Sequence, residues 1–201
     1  YWNANNYPLR GGKATDFEGG VRVAAFASGG WLPPSVRGGV VKGAIHLADV
    51  YVTFCLLAGA SDCWDSIAAS KHKIPQADGV DISKLLTTPA ESGVVVGNAS
   101  SPRFEIPLSS NAIIVGEWKL VTTTYQYQGV DLGYWTGPVW PLPGGHKSGP
   151  GYMPDPGCPS DGCLFHLPSD PEERRNLAAT EPAKRAELAA RLQALRATEF
   201  Q

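Results

Sequence analysis

The sequence has little net charge, no long apolar run and no internal repetition. A formal net charge of −2 gives no electrostatic basis for binding nucleic acid or an anionic membrane. The longest mostly apolar run, residues 50–60, is too short to span a bilayer, so no transmembrane segment is expected. No repeat with a period of about 20 to 50 residues is visible, which argues against a solenoid or a propeller.

Methionine and cysteine are also scarce. The chain starts at Tyr1 and has one methionine, Met153, and no signal peptide is visible, so we expect a fragment or a processed chain. The four cysteines are an even number at short spacings, which favours an oxidising compartment: Cys55, Cys63, Cys158 and Cys163. Asn98 begins an Asn-Ala-Ser triplet and is a candidate glycosylation site. We therefore expect the secretory pathway, with a secreted or a lysosome- or vacuole-like destination.

The cysteine spacings leave the pairing open. Cys158 and Cys163 enclose a short loop and are a candidate disulfide. With His166 they would also give partial zinc ligation, for which no fourth ligand has a convincing spacing. Cys55 and Cys63 could pair with each other or remain free thiols.

Apolar residues make up 43% of the sequence, which is enough to build a core. The apolar run 21–27 lies between glycine pairs and predicts a buried strand. Residues 48–60 predict a helix that is apolar nearly all round, and hence buried, with Asp49 as its N-cap.

The second half of the chain predicts a small β-structure followed by a helix. The runs 112–115 and 118–124 are separated by two residues, Gly116 and Glu117, which is typical of a β-hairpin. Another strand is predicted at 163–167, followed by a short helix at 170–173 with Asp170 as its cap and Glu173 reaching back to it. A final helix is predicted at about 181–199, with a stripe formed by Leu188, Leu192 and Leu195.

One glycine-rich segment, residues 9–22, is a candidate anion site. Arg10 and Lys13 offer cations beside flexible backbone, while Asp16 and Glu18 offer anions. A lysine in such a setting can hold an oxyanion as a point charge. The alternative is a solvated surface turn.

Four segments, in order, resemble the sulfatase family. Residues 13–22 resemble its Lys-x4-Glu-Gly-Gly-Val-Arg segment, and the preceding Asn-Asn-Tyr-Pro at 5–8 looks most like the arylsulfatase B type. Residues 45–53 resemble its His-x-x-Asp helix start, although Val52 stands where proline is usual. Residues 116–120 resemble Gly-x-Trp-Lys-Leu, and residues 164–177 resemble Leu-Phe-x-Leu-x-x-Asp-Pro-x-Glu-x-x-Asn-Leu.

The resemblance implies the C-terminal portion of an alkaline-phosphatase-like α/β fold. Residues 1–90 would form the end of the catalytic α/β domain. Residues 91–201 would form a C-terminal α+β subdomain, with a small antiparallel sheet and a C-terminal helix.

The resemblance also implies a reaction, the hydrolysis of sulfate esters. The family uses a formylglycine as nucleophile and a calcium ion that polarises the sulfate oxygens. Lys13 falls on the family lysine that binds the sulfate, and would be catalytic and substrate-binding. Phe17 is a candidate for lining the substrate groove, with packing as its alternative, while Glu18 and Arg22 are expected to form a structural pair. The expected substrates are sulfate esters, including carbohydrate sulfates.

The sequence departs from the family in one decisive respect. It contains no Cys/Ser-x-Pro-x-Arg motif from which formylglycine is made, and the family's metal-binding aspartates have no counterpart. We therefore expect neither calcium nor formylglycine in this chain, no metal ligands, and no activity of the chain alone. A non-catalytic sulfatase-like binding protein is the main alternative. A phosphodiesterase or phosphatase of the same superfamily is a further alternative.

Overall fold

The computed structural model describes residues 5–89, 95–96, 101–139, 150–159 and 161–198. The helices are α1 (Glu18–Val21), α2 (Leu47–Leu57), α3 (Ser66–His72), α4 (Ser83–Thr87) and α5 (Pro182–Arg196). The strands are β1 (Val40–Val41), β2 (Val95–Val96), β3 (Glu105–Ser109), β4 (Ala112–Val115), β5 (Trp118–Val121), β6 (Gln126–Tyr127), β7 (Val130–Asp131) and β8 (Cys163–His166).

The chain divides into two compact units. Unit 1 combines Tyr1–Ala24 with Glu105–Gln201, and unit 2 is Ala25–Phe104. The candidate segment 9–22 therefore belongs to the same unit as the C-terminal sheet. The expected domain boundary at residue 90 concerns a complete family protein and stays a prediction.

Unit 1 is built on a four-stranded antiparallel sheet with the order β3-β4-β5-β8. The predicted hairpin is confirmed, because Val115 pairs with Trp118 across a turn in which Gly116 has a φ of +57°. Glycine adopts this left-handed conformation without steric cost. The predicted strand at 163–167 is confirmed as β8, which pairs with β5.

Strand alternation gives this sheet two different faces. On one face, Ile113, Leu120 and Leu164 pack against Leu188 and Leu192 of α5, so the predicted helix and its apolar stripe are confirmed. On the opposite face, a second cluster gathers residues of the sheet around a ring from the candidate segment: Ala112, Val121, Cys163, Phe165 and Phe17.

The helix predicted at residues 48–60 is present in unit 2, but it differs from the prediction in two ways. Helix α2 starts at Leu47 with His46 as its N-cap, and Asp49 lies at the third position, where its carboxylate accepts a hydrogen bond from the backbone of His46. The helix is also not buried all round. Only one side, which includes Val52 and Thr53, is covered, because the described part of unit 2 supplies packing partners on that side alone.

The exposed side of α2 carries four large apolar residues, Leu47, Tyr51, Phe54 and Leu57. Unit 2 also contains β1 and β2, which pair in parallel. A parallel pair usually lies inside a larger, covered sheet. The described part of unit 2 thus exposes an apolar surface on this side of α2.

The predicted strand at 21–27 is wrong. The backbone N–H groups of Val21 and Arg22 donate to the carbonyls of Phe17 and Glu18, which closes the helical turn α1. The residues that follow have no regular structure, and Val23 and Phe26 are 80% and 93% exposed. The run is apolar, but no strand that the structure describes pairs with it to supply a hydrogen-bond ladder.

The chain is mixed α/β, with a small antiparallel sheet and a C-terminal helix, as expected for that part of the fold class. Across the described ranges, no helix is both long and apolar enough to cross a membrane. The glycosylation candidate Asn98 lies outside the described residues.

Candidate functional site

The candidate segment forms a loop, residues 11–17, on the sheet of unit 1, and Lys13 lies at its tip. Gly11 and Ala14 have φ values of +69° and +70°, so the chain turns sharply on both sides of Lys13. Thr15 closes this turn, because its hydroxyl donates to the carbonyl of Gly12 at 2.8 Å and its N–H donates to the same oxygen at 3.0 Å. The side chain of Lys13 is exposed.

Arg10 anchors the N-terminal end of this loop from inside the unit. Its side chain is 1% exposed, and its Nη2 lies 2.6 Å from the equally buried Asp155. Its Nε donates to the carbonyl of Gly133 at 2.8 Å. The guanidinium also lies 3.8 Å from the ring centroid of Phe17 and 4.7 Å from that of Trp135, which adds cation–π attraction. Arg10 is therefore engaged inside unit 1 and, contrary to the expectation from the sequence, does not offer its charge to a bound anion.

Asp16 anchors the middle of the loop. It is 9% exposed, and one of its carboxylate oxygens accepts hydrogen bonds from the hydroxyls of Ser109 and Tyr125. Burial, reinforced by the bond to Asp16, raises the pKa of Tyr125, so this phenol remains a donor at neutral pH. Asp16 is thus committed to holding the loop against the sheet.

Phe17 lies in the core. Its ring is 1% exposed and makes edge-on contacts with Tyr125 and Phe165, at centroid distances of 5.6 and 6.4 Å. This placement favours the packing alternative, because a ring so covered offers no surface to a ligand. Its assignment to the substrate groove stays a prediction.

Glu18 ends the loop and is 5% exposed. Its carboxylate lies 2.9 Å from the fully buried ammonium of Lys119 in β5 and 3.7 Å from the guanidinium of Arg22. The expected pair of Glu18 and Arg22 is therefore present as an ion pair, but Arg22 is 60% exposed, and such a pair contributes little. The stronger partner of Glu18 is Lys119.

The two glycines after Glu18 allow the turn to lie against the loop. A Cβ on Gly19 would stand 2.5 Å from the carbonyl oxygens of Arg10 and Gly11, and one on Gly20 would stand 2.2 Å from the carbonyl oxygen of Thr15. Real side chains do not fit at such distances. The Glu-Gly-Gly sequence thus has a steric basis, which is the close packing of α1 on the backbone that carries Lys13.

These contacts sort the charges of the segment into two kinds. Arg10, Asp16 and Glu18 are buried, and each is engaged inside unit 1. Lys13 is exposed, and its ammonium has no hydrogen bond or ion pair with any residue that the structure describes. The loop is therefore held in place by its buried charges and exposes the ammonium of Lys13 to solvent. Such a group is suited to binding an anion as a point charge.

No metal centre accompanies Lys13 in the described part of the chain. There, no three His, Cys, Asp or Glu side chains converge in a way that would hold a metal ion. The described residues therefore do not fit the calcium site of the family. Whether calcium or formylglycine accompanies this chain stays a prediction.

The cysteines form two disulfides. Cys158 pairs with Cys163, as predicted, so these thiolates are not zinc ligands. Cys55 pairs with Cys63, which resolves the alternative that the sequence left open. Both bonds close short loops, each within one unit.

A second charged contact lies in unit 2, within the segment that resembles the family's helix start. Asp49 is 0% exposed, and both of its oxygens lie 2.8 Å from Nε of Arg103. Burial alone would raise the pKa of Asp49, but the hydrogen bonds from Arg103 and from the backbone N–H groups of His46 and Val80 outweigh it and lower the pKa. Residues 45–53 therefore have a structural role in unit 2.

A cavity of about 300 Å³ opens on the α5 side of the sheet in unit 1. It is lined by Trp118, His166, Ser169, Asp170, Arg175 and Leu177. None of the predicted site residues contributes to it. The exposed tip of the loop and this cavity are therefore separate features of the unit.

Sequence reasoning missed three anchors of the loop: Asp155, Lys119 and Glu173. A signal existed for Lys119, because a lysine within an otherwise apolar strand needs a buried counter-charge. A short helix was predicted at 170–173, with Asp170 as its cap and Glu173 reaching back to it. The structure has a turn there instead, in which Glu173 has a φ of +55° and is 0% exposed. Asp155 lies in a glycine- and proline-rich stretch that carries no periodic signal.

Comparison with known proteins gives a partial match. No protein-family model matches the chain. Arylsulfatase J of Mus musculus is 30% identical to it over 128 residues, which cover 59% of this chain and 20% of the mouse protein. The chain therefore spans about a fifth of the length of this curated relative. The similarity supports a relationship to the sulfatase family at modest identity.

Proposed function

We propose, from this relationship to the sulfatases, that the chain contributes part of the active site of a sulfuric ester hydrolase of the arylsulfatase type. Lys13 is the residue that binds the sulfate group. The observation that carries the proposal is the contrast within residues 10–18 between three buried, engaged charges and the exposed ammonium of Lys13, which has no hydrogen bond or ion pair with the described residues. The similarity to a curated arylsulfatase supports the same reaction class.

The chemistry of sulfate ester cleavage suits a fixed lysine. The sulfate oxygens carry negative charge, and charge develops on the leaving oxygen as the ester bond breaks. An ammonium at a set position stabilises that charge without having to reorganise during the reaction. The anchors at Arg10, Asp16 and Glu18 supply this fixed position, because they hold the backbone on both sides of Lys13.

The chain alone is proposed to be inactive. In the complete family enzyme, formylglycine supplies the nucleophile and calcium polarises the sulfate oxygens. The sequence has no Cys/Ser-x-Pro-x-Arg motif, and the described residues do not assemble a metal site. What remains to this chain is binding and orientation of the sulfate by Lys13.

Two assays test this proposal. The purified 201-residue chain is expected not to hydrolyse a chromogenic aryl sulfate, with or without added calcium. In a longer protein that contains this chain and hydrolyses the ester, Lys13→Ala is expected to lower kcat/KM by about a hundredfold, as loss of one charge-stabilising donor does elsewhere.

Lys71→Ala, at an exposed lysine in α3 of unit 2, is the matched control and should leave the rate unchanged. Robust calcium-dependent turnover by the isolated chain would refute the inactive-fragment proposal. An unchanged rate of the Lys13→Ala protein would remove Lys13 from the site. Faster turnover of an aryl phosphate than of the aryl sulfate would favour a phosphatase instead.

A non-catalytic sulfatase-like binding protein is the second candidate, favoured by the lack of a formylglycine motif in this sequence. It would bind sulfate esters through Lys13 without turning them over. The coding DNA upstream of Tyr1 distinguishes the two candidates, because an in-frame Cys/Ser-x-Pro-x-Arg motif belongs only to the enzyme.

We further propose a secretory route and carbohydrate sulfates among the substrates. The two disulfides support an oxidising compartment, in which such bonds persist. The carbohydrate class follows from the resemblance to the arylsulfatase B type. Comparing turnover of sulfated oligosaccharides and simple aryl sulfates by a longer protein tests the substrate class.

A further inference from the structure

A buried lysine lies between two carboxylates beneath the Lys13 loop. The ammonium of Lys119 is 0% exposed and lies 2.9 Å from Oε1 of Glu18 and 2.9 Å from Oε1 of Glu173. The other oxygen of Glu173 accepts a hydrogen bond of 2.6 Å from the backbone N–H of Glu18. Glu18 is therefore held twice, by its side chain and by its main chain.

This cluster has features that do not favour stability. Two carboxylates face one buried ammonium, and Arg22 compensates only from the exposed edge. The contact between Lys119 and Oε1 of Glu173 lacks hydrogen-bond geometry, and this oxygen has no hydrogen-bond partner in the described part of the chain. Burial raises the pKa of Glu173 against the opposing effect of Lys119. Glu173 also has a positive φ, which is costly for a residue other than glycine.

A buried ion cluster of this kind is poor evidence for stabilisation, but it can fix geometry. Here the geometry that it fixes is that of the loop. Glu18 begins α1, and the N–H of the next residue, Gly19, donates to the carbonyl of Arg10 at 2.7 Å. Holding Glu18 thus joins the end of the loop to its beginning, with Lys13 between them.

We propose that Lys119 and Glu173 are positioning residues for Lys13, acting through Glu18. This inference rests on the proposed function, because the position of Lys13 matters to a reaction only if its ammonium meets a sulfate ester. It also gives one physical role to three separate motifs. Glu18, Lys119 and Glu173 belong to three of the segments that resemble the family, and they meet in a single contact.

Hydrogen exchange of backbone amides in the 201-residue chain tests the positioning itself. Lys119→Met leaves two buried carboxylates without their cation, and we expect exchange at Glu18, Gly19 and Gly20 to accelerate about a hundredfold. Because the loss of a buried pair also lowers the stability of unit 1 as a whole, exchange at Leu188 and Leu192, in α5 across the sheet, should accelerate too, but these amides should keep a higher free energy of opening than those of the loop. Equal free energies of opening at both places in the variant would show that the loop opens only when unit 1 unfolds, and would overturn the proposal.

Glu173→Gln covers the case in which Lys119→Met does not fold. This variant leaves one carboxylate facing one ammonium, so we expect it to unfold at the same temperature as the parent chain or higher. The amide oxygen is a weaker acceptor than the carboxylate. We therefore expect exchange at Glu18 to accelerate about tenfold although stability is unchanged or raised. An unchanged exchange rate at Glu18 would contradict the positioning role. A group that only stabilised the fold would not accelerate exchange at Glu18 while leaving the unfolding temperature unchanged or raised.

Binding of inorganic sulfate, followed by NMR of the backbone amides of residues 11–17, tests the connection to function. We expect Lys119→Met to weaken the sulfate response about tenfold, and to have no further effect when Lys13 is already alanine. An equal effect of Lys119→Met in both backgrounds would overturn action through Lys13. If the parent chain shows no response that depends on Lys13, the proposed function fails, while the exchange experiment still decides the positioning.

Discussion

Replacing Arg10 by methionine removes a buried cation and leaves its partner in place. The Asp155 carboxylate is 1% exposed and, among the described residues, would keep the backbone N–H groups of Gly133 and Gly157 as its donors. Breaking a buried pair in this way costs about 3–5 kcal/mol, because the remaining charge is desolvated without compensation. The carbonyl of Gly133 also loses the hydrogen bond from Arg10. We expect the free energy of unfolding of unit 1 to fall by at least this amount.

Thermal unfolding followed by near-ultraviolet circular dichroism measures this effect. At roughly 2–4 °C per kcal/mol for a chain of this size, the midpoint should fall by about 6–20 °C. Arg22→Met is the matched control, because Arg22 is 60% exposed and lies 3.7 Å from its partner, so its replacement should change stability by less than about 1 kcal/mol. In Arg10→Met combined with Asp155→Asn, part of the loss should be regained. A midpoint for Arg10→Met equal to that of the Arg22→Met control would refute the reasoning.

Three other predictions concern one glycine of the loop and the pH dependence of two carboxyl groups. Gly20→Ala should disrupt the loop and lower the thermal unfolding midpoint, because the new Cβ would stand 2.2 Å from the carbonyl oxygen of Thr15. Gly30→Ala is the control, because a Cβ there meets open space and should leave the midpoint unchanged. Equal midpoints for the two variants would contradict the packing argument. The pKa of Asp49 is lowered in the folded state, so its ionised side chain stabilises unit 2 fully above its ordinary pKa of 3.8. This contribution to the free energy of unfolding is lost as the pH falls through the lower pKa of the folded state. The pKa of Glu173 is raised instead, so its effect on stability has the opposite pH dependence. The stability of unit 1 should decline as the pH rises from 4.5 through the raised value of the folded state. Glu173→Gln should flatten that decline when the free energy of unfolding is measured against pH.

The elements that sequence predicted well are those whose pattern is local. The hairpin follows from two β-rich runs and a two-residue turn, and α5 follows from leucines at helical spacing. Both depend on residues close together in the chain. Two of the predictions that failed, the strand at 21–27 and the full burial of α2, required knowledge of which elements lie alongside, and apolar content alone does not supply it.

The candidate loop shows the same limit at the level of single residues. Arg10 and Lys13 are both cations in one glycine-rich segment, yet one is buried and the other exposed. What separates them is Asp155, which is 145 residues from Arg10 in the chain. No spacing rule within the segment indicates that partner. The resemblance to the sulfatases located Lys13, whereas the contacts explain why the neighbouring charges are there.

The discontinuity of unit 1 has a consequence for biosynthesis. The three members of the buried cluster are residues 18, 119 and 173, so the chain must be made as far as Glu173 before the cluster can close. A ribosome adds about 5–20 residues per second, and domains generally fold as units once their sequence has emerged. Unit 2 is complete in sequence at Phe104 and so can fold much earlier. The Lys13 loop precedes unit 2 in the chain, yet it is therefore among the last parts of unit 1 to reach its final form.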